Sequence, residues 1–444
     1  MTVTSASSIT QRHDYDVVIA GGGMVGVSLA CALAVADKEN TLSILLVDNF
    51  PAMHLSGDQS LSGAIYHPSF DARSIALSSS SIDIFESLGV LPELLKHASP
   101  IRQVHVSERG HMGSTLLDAA EQNKKSFGYV IENQWLGAVL LNRLNDFPTI
   151  ELVTAASVSN IIPKQAGVSV DIVGFQQDVK AQAAESKIIK VDASLLVVAD
   201  GTQSGLRDSL GITANVTRYD QRAIVANVQT QLPHNGQAFE RFVADGAVAF
   251  LPLIDLPNSK NRSTLVWTMP INVDGGDTVD DKAKLDDAEF VVELQKAFGY
   301  RLGKIQRIGQ RQSYPLALTL ADEVVRNHIV LMGNSAHSLH PVAGQGFNLS
   351  LRDVAALVER VSSAIKQRQD IGSLALLQDY AEAQIKDQNL TIGFSHKLIE
   401  LFSQQALPVQ LGRNLGLLAL DLLQPAKKTF SDRAAGITGR RSLS

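Results

Sequence analysis

The sequence of 444 residues contains a single cysteine, Cys31, and aromatic side chains make up only 5% of it. One cysteine excludes an internal disulfide framework and fits a reducing compartment. No apolar stretch approaches the roughly 20 residues that a membrane-spanning helix needs. The first twelve residues also lack the basic start and apolar core of a secretory signal peptide. We therefore expect a cytoplasmic protein, with a peripheral position at the inner membrane as the alternative.

Several functional classes lack their signatures here. The formal net charge is −6 and no block of basic residues occurs, so nothing favours binding to nucleic acid. The one cysteine and the scattered histidines form no metal-ligand pattern, and we predict no metal site. No G-x-S-x-G element of a serine hydrolase is present. The hydrophobic fraction of 45% instead predicts a well-buried globular chain, long enough for two lobes.

A nucleotide-binding pattern lies near the start of the chain. The apolar run at 17–19 predicts a buried parallel strand, and the glycine-rich segment 21–26 that follows it matches G-x-G-x-x-G. In this pattern Gly21 permits a tight turn, Gly23 lets the backbone approach a pyrophosphate, and Gly26 lets the next helix pack closely on the strand. The N-terminus of that helix would offer its unpaired N–H groups to the phosphates.

The acid that completes the pattern is Asp48. It follows a second apolar run at 44–47 and lies 22 residues beyond Gly26. An acid at this place hydrogen-bonds a free ribose hydroxyl, which a 2′-phosphate would not allow. The residues alone therefore predict FAD or NAD, and not NADP, as the resident nucleotide.

Two later blocks have the same strand-then-glycine character. Residues 195–199 form an apolar run that leads into Asp200-Gly201, and a predicted strand at 329–332 leads into a glycine-containing loop and a helix from about Leu349. Between these blocks the pattern changes to extended segments separated by polar turns. We predict that these segments form an inserted antiparallel sheet, which the shorter piece 101–131 joins.

These later blocks resemble the FAD-dependent aromatic hydroxylases, the family typified by para-hydroxybenzoate hydroxylase. The resemblance is carried by the segment Ala199 to Arg207 and by Gly333 to Pro341 with its continuation Gly344 to Asn348. It implies bound FAD, with Asp200 and Gly201 serving both FAD and the visiting reductant. It also implies that Asn334, which stands where the family usually has Asp, contacts the ribitol chain. Gly344, Gly346 and Asn348 would then face the pyrimidine ring of the flavin.

A narrower resemblance extends over nearly the whole chain. The segments 67–77, 104–111, 236–242 and 297–304 are similar to the ubiquinone-biosynthesis hydroxylases, in particular to those acting on 2-octaprenyl-6-methoxyphenol. By this resemblance Arg73 reaches the flavin or its pyrophosphate. The implied reaction uses NAD(P)H as a transient reductant and O2, and it hydroxylates a polyprenylated phenol by way of a C4a-hydroperoxyflavin.

The resulting fold class is α/β: a Rossmann-type FAD-binding domain with an inserted antiparallel β-sheet substrate domain and a helical C-terminal region. The FAD-binding domain is predicted to be discontinuous, with residues 14–100, 132–214 and 312–390. The substrate domain takes residues 101–131 and 215–311, and the C-terminal region residues 391–444.

Several questions stay open at this stage. No catalytic base is assigned, although His337, His340 and Arg241 are candidates for the site. The apolar residues at 398–423 favour packing on the FAD-binding domain, with contact to a membrane surface or a multi-enzyme complex as the alternative. Three other functions remain: a flavin oxidoreductase that inserts no oxygen, a sister hydroxylase acting at another ring position, and a largely scaffolding flavoprotein. NADH or NADPH preference and oligomeric state are not predicted.

Overall fold

The computed structural model describes residues 3–5, 13–50, 73–110, 114–174, 188–243, 246–271, 279–339 and 344–403. The strands are β1 (Val3–Ser5), β2 (Asp14–Ala20), β3 (Ile44–Val47), β4 (Ser74–Ser78), β5 (Ala98–Pro100), β6 (Gln103–Glu108), β7 (Ser114–Asp118), β8 (Gly128–Glu132), β9 (Ile150–Thr154), β10 (Ala156–Lys164), β11 (Gly167–Gly174), β12 (Ile188–Val198), β13 (Ala214–Thr230), β14 (Gln237–Val243), β15 (Gly246–Pro252), β16 (Arg262–Pro270), β17 (Ile305–Ile308), β18 (Gln312–Ala321), β19 (Val325–Arg326), β20 (Ile329–Leu331) and β21 (His337–Ser338).

The helices are α1 (Met24–Ala36), α2 (Ser79–Ser87), α3 (Leu91–Leu95), α4 (Asn133–Leu144), α5 (Gly205–Ser209), α6 (Val279–Lys284), α7 (Asp287–Phe298), α8 (Gln345–Lys366) and α9 (Leu374–Ser403). Strands and helices alternate at the start of the chain, as the predicted nucleotide-binding block requires.

The first sheet is mainly parallel, in the order β1-β9-β3-β2-β12-β20. Strand β12 is long enough to pair with β20 through its last residues and with the antiparallel β11–β10 hairpin through its first ones. The short strand β19 pairs with β20. The predicted strands at 17–19 and 44–47 are therefore neighbours at the centre of this sheet.

Both faces of the first sheet are covered. Val17 and Ile19 pack against helices of one layer, whereas Val18 and Ala20 lie in a separate cluster on the opposite face. This division follows the alternation of side chains along a strand. Helix α1 lies between the sheet and the helices α4 and α8, so its residues from Gly26 to Ala34 are all buried. An apolar helix of this kind is typical of the interior of a doubly wound fold.

The second sheet has the order β21-β18-β13-β16-β15-β14-β6-β7, with β17 on β13. All its pairings are antiparallel except the parallel pairing of β6 with β14. Helix α7 covers one face, and its first turn is fixed by a capping box in which Asp286 and Glu289 bond to each other's backbone N–H. Phe290 and Leu294 of α7 pack on Phe250 and Trp267 of the sheet.

A third, three-stranded sheet in the order β4-β8-β5 joins the two larger ones. Its presence corrects one expectation: of the piece 101–131, strands β6 and β7 join the second sheet, but β8 joins the third. Strand β18 also pairs with β13 in the second sheet, although residues 312–321 were assigned to the FAD-binding domain. Two-residue alternation does not reveal which sheet a strand joins, since all three sheets bury such strands. The domain boundaries remain a prediction.

Helix α9 runs through position 391 without a break, so the C-terminal region begins inside a helix. The apolar residues predicted to pack or to meet a membrane lie outside the described residues, or have side chains that are not described. Among the described helices, none combines the length and the hydropathy that crossing a membrane would require.

Candidate FAD and substrate site

The three glycine-containing blocks meet at the carboxyl ends of the central parallel strands. The N–H of Gly21 donates to the carbonyl oxygen of Val47 at 2.8 Å, and the N–H of Ala199 donates to that of Ala20 at 2.8 Å. The N–H of Met332 likewise donates to the carbonyl oxygen of Val198 at 2.9 Å. Ligands of open α/β sheets bind in the crevice outside these strand ends.

The glycine turn packs tightly against the surrounding backbone, with no room for a side chain at Gly21 or Gly26. Gly21 has φ +117°, and a Cβ atom there would lie 2.3 Å from the carbonyl oxygen of Ala199 in the second block. At Gly26 a Cβ atom would lie 1.9 Å from the carbonyl oxygen of Gly21. Gly23 occupies the N-cap position of α1 and has no side chain to cap it. Bare backbone N–H groups at this helix start form the predicted cradle for a pyrophosphate.

Asp48 lies at the end of β3 beside this turn and is largely buried. Its Oδ2 atom accepts a hydrogen bond from the N–H of Gly22 at 2.5 Å, and its Oδ1 atom accepts one from the N–H of Phe50 at 2.7 Å. The main chain therefore fixes the carboxylate against the glycine turn. That is the place at which the sequence pattern expects an acid for the adenosine ribose.

In the second block, only one carboxylate oxygen of Asp200 has a hydrogen-bond partner among the described residues. Oδ2 of Asp200 accepts a hydrogen bond from the N–H of Leu206 at 3.2 Å, whereas the buried Oδ1 has no hydrogen-bond partner among the described residues. Burial raises the pKa of Asp200. Gly201 has φ +97°, and the space where a side chain would project is open. An unsatisfied buried oxygen beside an open glycine fits a ligand that brings hydrogen-bond donors.

The third block is held against both of the others. A Cβ atom on Gly333, at φ +68°, would lie 3.1 Å from Cγ2 of Val25 in the helix α1. The hydroxyl of Ser335 is within 2.7 Å of the carbonyl oxygen of Val198, and the hydroxyl of Thr202 is 3.4 Å from that of Ser338. Asn334, between these anchors, is exposed. Its carboxamide is thus presented outward by a fixed turn, as contact with a ribitol chain would require.

The start of α8 lies against the third sheet. Gly344 has φ +60° and is the N-cap residue of α8, and a Cβ atom there would lie 3.5 Å from Cβ of Ala76 in β4. A Cβ atom at Gly346 would lie 3.8 Å from Cβ of Leu339. The helix therefore begins at Gln345, four residues before the predicted start, because the buried polar residues of its first turn do not show as an apolar pattern.

The side chain of Asn348 is bound within the protein. Its Oδ1 accepts hydrogen bonds from the N–H of Ser78 and the hydroxyl of Ser81, and its Nδ2 donates to the carbonyl oxygens of Ala76 and Gly344. A carboxamide can donate two hydrogen bonds and accept two, so this side chain is saturated inside the protein. Asn348 thus joins the start of α8 to β4 and α2.

Two adjacent residues at the start of the third sheet, Arg73 and Ser74, connect these blocks to the second sheet. The guanidinium of Arg73 lies over the ring of Tyr314 in β18, 4.9 Å from its centroid. The hydroxyl of Ser74 is 2.7 Å from that of Thr264 in β16. Arg73 thus stands where the FAD-binding blocks and the second sheet meet.

One row of the second sheet faces this junction. Cross-strand pairing aligns Glu240 of β14 with Ala249 of β15, then with Val266 of β16 and Val225 of β13, and with Val106 of β6 on the other side. We call Val106, Glu240, Ala249, Val266 and Val225 the central row. Their sequence neighbours point to the opposite face, where Phe239, Phe250 and Leu265 pack under α7. Apart from the buried Val106, the central row is half-buried.

A family model described as "FAD binding domain" matches residues 14–384 of the chain. The chain belongs to this family. The ubiquinone hydroxylase UbiL of Rhodospirillum rubrum is 34% identical over 95% of this chain and 89% of its own length. The 3-demethoxyubiquinol 3-hydroxylase of Escherichia coli is 27% identical over 95% of this chain and 98% of its own length. The human ubiquinone biosynthesis monooxygenase COQ6 is 27% identical over 93% of this chain and 91% of its own length.

Solved structures share the fold of this family member. p-Nitrophenol 4-monooxygenase PnpA from Pseudomonas putida superposes with a TM-score of 0.74, covering 97% of this chain and all of the other at 16% identity. PqsL of Pseudomonas aeruginosa, described as a probable FAD-dependent monooxygenase, superposes with a TM-score of 0.66. The match covers 91% of this chain and all of the PqsL chain, at 17% identity. The predicted fold class is confirmed. The expected membership of the FAD-dependent aromatic hydroxylases is confirmed as well, and with it FAD as cofactor and monooxygenase as enzyme class.

The residues present fit FAD. The closed glycine turn and the unsatisfied Oδ1 of Asp200 lie on the same crevice, and both suit the flavin dinucleotide. The individual cofactor-binding residues remain predictions: Gly21, Gly23, Gly26, Asp48, Arg73, Asp200, Gly201, Asn334, Gly344, Gly346 and Asn348. No group of three or more potential metal ligands occurs among the described side chains.

Two of the candidates for the site form contacts within the protein. Nε2 of His337 in β21 lies 2.5 Å from Oδ2 of Asp353 in α8, and both residues are buried. The guanidinium of Arg241 donates to the carbonyl oxygen of Phe298 on the α7 side of the second sheet, away from the central row. His340 lies outside the described residues. Glu240, the residue before Arg241, was not singled out from the sequence, and the register of the sheet places it in the central row.

Proposed function

We propose that this FAD-dependent enzyme uses NAD(P)H and O2 to hydroxylate the ring of a polyprenylated phenol in ubiquinone biosynthesis. The named relatives that match over nearly their whole length are ubiquinone hydroxylases or monooxygenases. At the finer level we propose 2-octaprenyl-6-methoxyphenol as the substrate, with NAD(P)H visiting transiently. A peripheral contact with a membrane or a multi-enzyme complex through the C-terminal region is part of the same proposal, since such a substrate resides in lipid.

The observation that carries this proposal is the apolar character of the central row. Val225, Val266 and Ala249 form a half-buried aliphatic surface on the side of the sheet that meets Arg73 and Ser74. Aliphatic surface of this kind suits an uncharged aromatic ring, whereas an anionic substrate would call for a cationic side chain. Glu240 is the one charged residue among the five of the row.

The division of work follows from this arrangement. Bound FAD would supply the activation of O2 and the transfer of one oxygen atom. The glycine turn, α1 and Asp48 would hold the ADP half, and the turn at Asn334 with the loop at Gly344 would hold the flavin half. The aliphatic central row would orient the phenol ring and exclude water, which protects the oxygenating site from wasteful decay.

The test uses the FAD-loaded protein with NADH or NADPH, oxygen labelled with ¹⁸O, and phenols that carry a short prenyl chain and a methoxy group. We expect flavin reduction followed by one labelled oxygen atom in the product, identified by mass spectrometry. Flavin reduction with no labelled product would favour an oxidoreductase that inserts no oxygen. A flavin that neither nucleotide reduces would favour a scaffolding role. Analysis of the product by NMR decides which ring position is hydroxylated.

A further inference from the structure

We infer that Glu240 is the group that accepts the phenolic proton of the substrate during hydroxylation. The inference rests on the proposed function and adds the catalytic base. It follows from the position of this carboxylate in the second sheet.

The register of the sheet fixes the direction of the Glu240 side chain. Glu240 pairs with Ala249, and its neighbours in sequence, Phe239 and Arg241, point to the side covered by α7. The Glu240 side chain therefore points to the other side, together with Val266 and the remaining aliphatic residues of the central row.

The residues in the rows on either side of Glu240 show which elements contact this face of the second sheet. Two residues earlier in β14, Ala238 belongs to an apolar cluster with Ala76 of β4, the residue next to Gly344. Two residues later, Phe242 belongs to the row that ends at Tyr314, beneath Arg73. Glu240 thus lies between two rows that both contact elements of the candidate FAD site.

No structural partner accounts for this carboxylate. Among the described residues, none forms a hydrogen bond or an ion pair with the Glu240 side chain, and burial raises the pKa of Glu240. An uncompensated carboxylate within an apolar surface destabilises the fold, and such groups occur preferentially where function requires them. Among the residues that the structure describes, the other ionisable groups that face this surface are Glu108, Tyr314, the Glu132–Arg262 ion pair and, from the opposite side, Arg73.

The chemical step is a single proton transfer. The O–H bond of the phenol breaks, its electron pair stays on the phenolic oxygen, and the proton joins the carboxylate of Glu240. The electron-rich ring that results is the better nucleophile toward the oxygen that the reduced cofactor and O2 supply. Because the pKa of Glu240 is raised, it lies closer to the pKa of a phenol. A general base becomes more effective as the difference between these two pKa values becomes smaller.

The experiment compares Glu240→Gln and Glu240→Asp with the exposed control Glu121→Gln, all loaded with FAD. Affinity is measured without reductant, from the change in flavin absorbance, for a prenylated methoxyphenol and for its O-methyl ether, which has no proton to give. We expect the wild type and Glu121→Gln to prefer the phenol over the ether by about 10- to 100-fold, as a hydrogen bond to a charged group implies. Glu240→Gln should lose most of this preference.

Turnover gives an independent readout. General base catalysis contributes about 10²- to 10⁴-fold, so Glu240→Gln should lower kcat by about that factor, leave flavin reduction by NAD(P)H unchanged and divert the reducing equivalents to hydrogen peroxide. The acid limb of the wild-type kcat profile should disappear in Glu240→Gln and persist in Glu240→Asp.

The outcomes separate the two proposals. If the wild type loads FAD but hydroxylates none of the phenols, the proposed function fails. If the wild type hydroxylates while Glu240→Gln keeps both its kcat within about threefold and the preference for the phenol, the assignment of Glu240 is overturned. It is also overturned if Glu240→Gln does not load FAD while Glu121→Gln does, since the carboxylate would then have a structural role.

Discussion

The side-chain oxygen of Asn348 accepts a hydrogen bond from the backbone N–H of Ser78 at 2.9 Å, across 270 positions of the chain. The same oxygen accepts from the hydroxyl of Ser81 at 2.6 Å, and Ser78 is the N-cap residue of α2. One carboxamide therefore fastens the first turn of α8 to the end of β4 and the start of α2. The start of α8, with Gly344 as its N-cap residue, depends on this fixed connection.

Replacing Asn348 by Ala should destabilise the protein and weaken its hold on FAD. The substitution leaves the N–H of Ser78 and two backbone carbonyl groups without their partner in a buried place. A loss of about 2–4 kcal/mol in the free energy of unfolding is expected from such unsatisfied groups. Denaturation in urea measures the loss, and the ratio of flavin to protein absorbance after gel filtration measures retention of FAD.

The control for this substitution is Asn142→Ala, at an exposed position of α4. It should change the free energy of unfolding by less than about 0.5 kcal/mol. Equal stability and equal FAD content in Asn348→Ala and in the control would contradict the anchoring role of Asn348.

Gly26→Ala should prevent FAD binding, because the added methyl group would lie 1.9 Å from the carbonyl oxygen of Gly21. The helix α1 would have to move away from the glycine turn, and the N–H groups that we predict to bind the pyrophosphate would move with it. We expect a colourless protein after purification. Gly393→Ala in α9 is the matched control, since no described atom lies within 4 Å of an added Cβ there. That helical control should be neutral or more stable by up to about 1 kcal/mol. A yellow Gly26→Ala protein would refute the model of a closed turn.

The sequence predicted the cofactor side of the molecule well, for a physical reason. Gly21, Gly26 and Asp48 belong to a local pattern in which each residue type answers a steric or hydrogen-bonding demand a few residues away. The runs at 17–20 and 44–47 are apolar because the parallel sheet is covered on both faces, and such runs are visible without a partner strand.

The substrate side was less accessible to sequence reasoning. Glu240 lies in an alternating strand, and alternation does not say which of the two faces meets the cofactor. That information resides in the pairing of β14 with β15 and with β6, and the β6 pairing joins residues more than 100 positions apart. The saturated carboxamide of Asn348 was hidden for the same reason, because its partners are in β4 and α2. Long-range pairing decides both roles, and no local pattern encodes it.

Cys31 should not react with thiol reagents in the native protein. It is fully buried in α1, and burial raises the pKa of its thiol to about 12, so the reactive thiolate is scarce at neutral pH. Titration with a chromogenic disulfide should detect less than about one tenth of a thiol per chain without denaturant, and one thiol per chain in guanidinium chloride. Rapid labelling of the folded protein would show that α1 opens locally, since reagents need access to the sulfur.

Glu132 and Arg262 form an ion pair that connects the third sheet to the second. Nη2 of Arg262 lies 2.7 Å from Oε1 of Glu132, and Nη1 also donates to the carbonyl oxygen of Ile254 at 3.1 Å. Arg262 is mostly buried, so Glu132→Gln should leave its charge poorly compensated and cost about 3–5 kcal/mol of stability. The double variant Glu132→Gln, Arg262→Met should recover part of this loss. Denaturant unfolding of the wild type, Glu132→Gln, Arg262→Met and the double variant measures the coupling. Strictly additive losses would show that the pair contributes nothing as a pair.

His105 should make the stability of the protein depend on pH in mildly acidic solution. Burial, together with the charges of Arg301 and Arg241, lowers the pKa of this histidine to about 4, from an ordinary value of 6.5. Between these two values the unfolded chain binds a proton that the folded protein does not, so the free energy of unfolding falls as the pH falls from about 6.5 to about 4. His105→Gln removes this contribution. The difference in the free energy of unfolding between pH 5 and pH 7 should therefore be smaller in His105→Gln than in the wild type. Urea unfolding at both pH values measures the difference, with the exposed His13→Gln as the control for replacing a histidine. A His105→Gln protein that loses as much stability as the wild type over this range would show that His105 is protonated in the folded state with little penalty.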